Sequence, residues 1–420
     1  MRTRRLAVTA IGVLAALTTA ACSSSGSGSS GSATSSSASP VSASGSAASS
    51  SASTAQTKPL VIDAISSLSG PLAAVGSSQQ EGAKAAVAVI NAQGGVFGQP
   101  IQYNVTDDKS DPTQAVSAVT KILSGSTKPA AVIPGSTSTD TSAVVPLLTK
   151  AKIFTPNHSS DDTVNDPTKN PYAFQDVFTS DDQAENLAAK FQSKGYKKVA
   201  VIDSDDARGQ GALASYKKVF ASKGFQVNTV AVPDTSVDAT PQVQQLMADK
   251  PDVLLVNNFA PTASAVVKAV NKLGLSIPIY GSQTFAANDI GALGGAAAIK
   301  GWQLQALALA VKGTPITKGS AFQTFMNQLK KQGTKITFTI NNYVVAYNDV
   351  ILAATAAKIA DSTDPDKMKA AAESLTPAKA PLYVGPLGFS ATSHQPATTS
   401  QYWVYTTYGS LTDGQIVPAS

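Results

Sequence analysis

The sequence predicts an α/β protein of two lobes, each a parallel sheet covered by helices on both faces. Three observations carry this. Short β-rich runs alternate with amphipathic helical runs, the alternation comes as two successive series, and about 360 residues follow a Ser/Gly/Ala-rich N-terminal stretch. That length exceeds one ordinary core and suits two. Repeated strand–helix alternation indicates βαβ units, whose crossover helices bring successive strands in parallel.

The elements follow in order. Residues 60–65 read as the first strand, and 76–91 as a helix with Ala83, Val87 and Ile90 at helical spacing. Residues 101–105 form a second strand. Asp111 caps the next helix, Pro112 takes its first position, and Val116, Val119 and Leu123 share a face. Strands at 130–133 and 152–154 flank a helix over 138–149. The second series runs helix 181–194, strand 199–202, helix 209–223, strand 225–232, helix 239–249, strand 253–256, helix 261–273 and strand 277–280. The ending differs: helices at 319–331 and 341–360 precede an aromatic-rich antiparallel pair, 381–390 with 401–407.

The N-terminus predicts export. Arg2, Arg4 and Arg5 precede an apolar run over 6–17, too short for a membrane span, so 1–21 reads as a signal peptide. Cys22 follows small residues and resembles the lipobox cysteine of bacterial lipoproteins, although Thr19 stands where such boxes prefer Leu. The alternative is an ordinary secretory signal with Cys22 incidental, and Arg4-Arg5 leaves Sec and twin-arginine export both open. Residues 22–58 read as a disordered tether, because Ser, Gly, Ala and Thr cannot bury enough apolar surface to offset ordering entropy. Such a coil spans roughly 30 Å. The expected location is the outer face of the cytoplasmic membrane, or the periplasm.

Composition excludes several classes. The net charge of +5 falls to +2 without the three signal arginines, leaving 29 basic and 27 acidic residues. No Lys/Arg block exceeds pairs such as Lys197-Lys198, so no nucleic-acid partner is expected. A single cysteine excludes an intramolecular disulfide and a thiolate cluster. Two histidines, His158 and His394, argue against a structural zinc site, and neither a metal nor a cofactor is expected.

Four collinear segments carry a family resemblance. Ser69-Gly70-Pro71-Leu72, Ile90-Asn91-Ala92-Gln93-Gly94-Gly95, Asp107-Asp108-Lys109-Ser110-Asp111-Pro112 and Val384-Gly385-Pro386-Leu387-Gly388-Phe389 resemble motifs of the leucine/isoleucine/valine-binding family of type I periplasmic substrate-binding proteins. The resemblance implies two Rossmann-like lobes joined by three crossovers, with ligand held in the cleft between them. It implies lobe one at 59–178 and 308–384, and lobe two at 179–307 and 385–420. It also implies a monomer that delivers ligand to the permease subunits of an ABC importer.

Elementary physics puts a site in the same place, since ligands of open parallel sheets bind beyond the carboxyl ends of the strands. After the strand ending at Ile133 comes the hydroxyl-rich 135–139, entering a helix whose free N–H groups favour an anion. After Phe154 comes a second polar loop, 155–159. By resemblance Ser136 and Ser159 hold a ligand carboxylate and the Asn157 carbonyl faces an ammonium; Thr137 and His158, in the same loops, read as further ligand contacts. The alternative for these hydroxyl residues is capping and turn formation, which suits Ser138 best.

Departures from the family narrow the ligand. Gln283 stands where amino-acid-binding members carry a Glu for the ligand ammonium, and an amide forfeits the charge-assisted bond. Aromatic positions of those members fall at Val75, Arg208 and Phe259. Arg208 could bind an anionic group bidentately, or be a solvated residue paired with Asp205 or Asp206. The expected ligand is therefore an amino acid, an amide or a small carboxylic acid, with a standard α-amino acid disfavoured.

An enzyme is not expected. Gly209-Gln210-Gly211 imitates a dinucleotide fingerprint but lies too far past its strand, beside the repelling Asp205-Asp206. A serine hydrolase built on His158, Ser159, Ser160 and Asp161 lacks a nucleophile elbow. His394 reads as solvated. A ligand-sensing domain with a separate signalling partner is the other alternative. The mechanism expected is hinge closure, with ligand docking on one lobe before the other closes over it.

Overall fold

A computed structural model describes residues 58–259, 261–397 and 400–419. The expected signal peptide, Cys22 and the expected tether as far as residue 57 lie outside the described residues.

The first lobe carries β1 (Val61–Ser66), α1 (Ala73–Ala92), β2 (Gln102–Asp107), α2 (Pro112–Ser124), β3 (Ala131–Ile133), α3 (Ser138–Lys150), β4 (Thr155–Asn157) and β5 (Ala173–Gln175). Its sheet runs β2-β1-β3, all parallel. A parallel bridge from Ala131 to Phe154, with the Val132 N–H donating to the Phe154 carbonyl at 3.0 Å, continues it to the parallel β4–β5 pair. The expected strand at 152–154 is thus displaced, because Lys152 turns through φ 53° before Phe154 joins the sheet.

The second lobe carries α4 (Ser180–Ser193), β6 (Lys198–Ser204), α5 (Ala207–Ser222), β7 (Gln226–Val232), α6 (Thr240–Met247), β8 (Val253–Val256), α7 (Pro261–Leu273), β9 (Ile279–Gly281), α8 (Gln283–Ala286), α9 (Gly295–Ala298) and β10 (Gln303–Leu307). The chain then returns to the first lobe for α10 (Ser320–Lys331), α11 (Asn341–Ala360) and α12 (Pro365–Glu373). It ends with β11 (Trp403–Thr406) and a hairpin, β12 (Ser410–Thr412) with β13 (Gln415–Val417). The second sheet has the order β11-β10-β9-β8-β6-β7, parallel except for β11. Sheet membership makes the chain cross between lobes three times: after β5, after β10 and before β11.

Helix starts follow local chemistry. Asp111 caps α2 by accepting from the Thr113 N–H, with Pro112 beyond it. Thr137 and Asp140 form a capping box at α3, as do Thr179 and Asp182 at α4. Ser138, expected as a cap, is instead the first residue inside α3.

Two expectations about the ending are corrected. Residues 381–390 form no strand, because Pro381 and Pro386 lack N–H donors and Gly385 takes φ 125°. Trp403–Thr406 pairs antiparallel with β10 instead. Segment 385–397, expected in the second lobe, packs on the first: Phe389 sits edge-on to Phe174, and His394 stacks on Phe174 at 3.9 Å.

α11 organises the first lobe. It is long and apolar enough to cross a membrane, yet 72% of its apolar window is buried. α1 lies directly against it, and a Cβ on Gly82 would sit 1.8 Å from the Tyr343 carbonyl oxygen. Gly82→Ala should therefore cost about 1–3 kcal/mol of stability or more by overpacking. A urea midpoint equal to wild type would show that the helices tolerate separation.

Candidate functional site: the inter-lobe cleft

The carboxyl ends of β1, β3 and β4 face those of β6, β8 and β9 across a cavity of about 90 Å³ that opens to solvent. From the first lobe Gln79, Ser136, Thr137, Ser138, His158 and Ser160 line it, with Asn341, Asn342 and Val345 from α11. The second lobe supplies Arg208, Phe259, Gln283, Thr284 and Ala287, and Val177 comes from the first crossover. Five of these were expected from the sequence together with Thr137: Ser136, His158, Arg208, Phe259 and Gln283.

Asn157 and Ser159 do not line the cavity. The Asn157 carbonyl accepts from the Asp176 N–H at 2.9 Å, and its side chain donates to the Phe174 carbonyl at 3.1 Å. Both residues are fully buried, and the Ser159 hydroxyl accepts from the Asp161 N–H at 3.1 Å. Side-chain alternation along the segment turns Ser159 inward and leaves Ser160 at the cavity. The Ser160 N–H donates to the Ser138 hydroxyl at 2.9 Å, so two cavity-lining serines hold each other.

Ser136 serves structure and cleft together. Its hydroxyl accepts from the Ser67 N–H at 3.1 Å, and its carbonyl accepts from the Gln79 amide at 3.0 Å. Thr137 spends its hydroxyl on the Asp140 carboxylate at 2.9 Å.

Arg208 is neither solvated nor paired mainly with Asp205 or Asp206. Its side chain is 8% exposed, and its two terminal nitrogens donate to the Asp203 oxygens at 2.8 and 3.2 Å. Another bond reaches the Ser204 hydroxyl at 2.7 Å, while the nearest Asp206 oxygen lies 4.0 Å away. Burial pushes the Asp203 carboxyl up, against the pull of the guanidinium. Burial acts to lower the Arg208 pKa, and Asp203 and Asp206 outweigh it, so the cation is held firmly. Three of its five N–H bonds are thus committed, leaving two to offer the cavity.

Asp206 is occupied elsewhere, capping α5 through the Gly209 N–H at 2.8 Å. The Gly209-Gln210-Gly211 run is therefore a capped helix start, and a Cβ at Gly209 would sit 2.1 Å from the Ser204 carbonyl.

His158 directs Nδ1 at Asp349, 2.8 Å away, and no serine is recorded bonding to its ring. The hydrolase constellation is therefore not assembled. His394 is buried, not solvated, with Nδ1 2.9 Å from the Ala173 carbonyl and Nε2 3.1 Å from Glu373. Burial lowers its pKa despite these partners.

Among the described residues, no carboxylate lines the cavity. The residues missed in the sequence (Gln79, Asn341, Asn342, Thr284) lie in helices whose apolar pattern masks them.

These features define a two-lobed protein with a ligand cleft, and comparison with known proteins agrees. The chain belongs to the periplasmic binding protein family, whose model matches residues 59–409, and that family consists of substrate-binding proteins rather than enzymes. It is 25% identical over 56% of its length to the Leu/Ile/Val-binding protein BraC3 of Rhizobium johnstonii, spanning 64% of that relative. It is 24% identical to Leu/Ile/Val-binding protein homolog 1 of Brucella suis, over 75% of this chain and 82% of that one. An extracellular ligand-binding receptor from Rhodopseudomonas palustris shares the fold with a TM-score of 0.73 at 20% identity, covering 86% of this chain and all of the other. A solute-binding protein of an R. palustris ABC transporter, solved with 4-hydroxybenzoate, gives 0.69 at 21% identity, over 86% and 96%.

Beneath the cavity, burial and Asp108 push the Asp140 carboxyl from 3.8 up to about 6, against its bonds from Thr137. The folded state holds this proton more tightly than the unfolded chain. The group's contribution is therefore complete below about pH 4 and lost as pH rises through about 6. Asp140→Asn abolishes the titration, so its stability relative to wild type should rise by up to about 3 kcal/mol across that window. Parallel curves from urea melts between about pH 4 and 7 would refute the assignment.

Proposed function

We propose that the chain is the extracytoplasmic substrate-binding component of an ABC importer, tethered by lipid on Cys22, and that it captures a small carboxylic acid or amide. One observation carries the ligand class: the cavity presents Arg208, His158, amides and hydroxyls, and no acidic side chain that could pair with an ammonium. The structural neighbour bound to 4-hydroxybenzoate supports a carboxylate ligand, while the Leu/Ile/Val-binding relatives make an amino acid the competing choice.

Ligand docks on the first lobe at the mutually bonded Ser136–Ser138–Ser160 loops, and closure adds Phe259, Gln283 and Arg208. Hydrogen bonds hold the lobes across the cleft, among them the Arg208 backbone N–H to the Thr139 hydroxyl at 3.3 Å and the Ser180 N–H to the Ser160 carbonyl at 3.0 Å. Thr139 bonds Asp206 at 3.3 Å, Ser215 bonds Asp162 at 3.0 Å, Thr339 donates to the Ala286 carbonyl at 3.1 Å, and Asn342 to the Ala287 carbonyl at 2.7 Å. Water can replace each of them at small net cost. The ligand's differential affinity for the closed form then sets the balance and presents both lobes to the permease.

Calorimetry with 4-hydroxybenzoate, short-chain carboxylates and amides, alongside leucine and valine, decides the ligand class. Submicromolar leucine or valine binding would sink the proposal. Gln283→Glu should weaken a carboxylate ligand about tenfold or more through like-charge repulsion. Small-angle scattering should show the radius of gyration fall on adding a saturating ligand, and an unchanged radius would count against closure.

A further inference from the structure

We propose that His158, Asp176 and Asp349 form a site for one first-row divalent cation beneath the cleft. One ligand atom from each lies within 4.8 Å of the others. They arrive from separate segments: the loop after β4, the crossover after β5 and the middle of α11. His158 and Asp349 lie 191 residues apart in sequence, which is why counting histidines and cysteines could not suggest the site.

The second observation is an excess of buried polar atoms without partners. Both Asp176 carboxylate oxygens, Asp349 Oδ1, His158 Nε2 and the Tyr383 hydroxyl are closed to solvent and make no hydrogen bond. The Asp349 side chain is 0% exposed and that of His158 6%. Native proteins seldom leave such atoms unsatisfied, and an unsatisfied carboxylate is the costliest case. The charged groups facing the pair are each other and His158, with the Asn348 amide beside Asp176 and the Tyr383 phenol nearby. The Asn348 amide is itself bonded to the Val384 carbonyl at 2.9 Å. One imidazole cannot neutralise two buried carboxylates. A dication does so with the imidazole neutral.

The donor set fits this class of ion. Imidazole nitrogen with carboxylate oxygen suits Zn²⁺, Mn²⁺ or Fe²⁺. Bonds of about 2.0–2.2 Å place donor atoms about 3–4.4 Å apart around the ion, so a small side-chain rotation closes the observed spread. A bound cation would pin the first crossover to α11 and to the cleft loop that carries His158, fixing one anchor of the hinge.

The test uses the full chain, stripped with chelator, dialysed and titrated with Zn²⁺ and separately Mn²⁺ without organic ligand. Calorimetry and elemental analysis should give one equivalent per chain, with a rise in Tm. Asp176→Asn and Asp349→Asn should each weaken uptake about tenfold or more. Asp176 does not line the ligand cavity, so its variant separates cation binding from organic-ligand binding, and circular dichroism reports whether each variant folds. No uptake would overturn the proposal. So would uptake unchanged in both folded variants, or a Tm that Asp176→Asn raises without metal, which would mean that protons alone neutralise the pair.

Discussion

In both lobes the strands whose ends reach the cleft run parallel, and everything at the cleft depends on that constraint. Parallel strands deliver their carboxyl ends, and the N-termini of the following helices, to one edge of the sheet. With two such edges facing, a small volume collects unpaired N–H groups and short polar side chains without any helix or strand having to be irregular. Ser136, Ser138 and Ser160 reach the cavity from the first edge, and Arg208 and Gln283 from the second. Ordinary capping already needs hydroxyls and carboxylates at these positions. A binding site and a helix start thus draw on the same residue at Thr137, which lines the cavity and caps α3.

Much of the fold was legible because α/β periodicity is local. α7, β8 and α11 fall where their hydrophobic spacing places them. What escaped depends on tertiary partners. β10 is only five residues long, with two glutamines among them, and β11 owes its strand state to the partner β10 offers. Segment 385–397 carries no periodicity and takes its place because His394 finds the face of Phe174.

The site was legible to the level of the loop but not of the side chain. Loops 135–139 and 155–159 were identifiable from strand–loop–helix order. Whether Ser159 or Ser160 faces the cavity turns on a one-residue alternation that a sequence leaves open. Arg208 could not be assigned because its partner Asp203 closes strand β6 inside the lobe, where a sequence reading expects an apolar residue. That pair shows how the cleft keeps a buried cation in its wall: Asp203 balances the charge of a side chain that still lines the cavity. Breaking such a pair from one side is far more damaging than replacing both members.

The apolar character of α11 has a consequence for biosynthesis. In the newly made chain, before α1 covers it, this segment is exposed to whatever surrounds it. Over 341–360 the unfolded chain offers a segment long and apolar enough to enter a bilayer. Asp349 sits near its midpoint, where a carboxylate opposes insertion by about 2.5–3.5 kcal/mol. Asn341, Asn342 and Asn348 add to that opposition. The buried polar residues of α11 thus weaken the tendency of the unfolded segment to lodge in a bilayer.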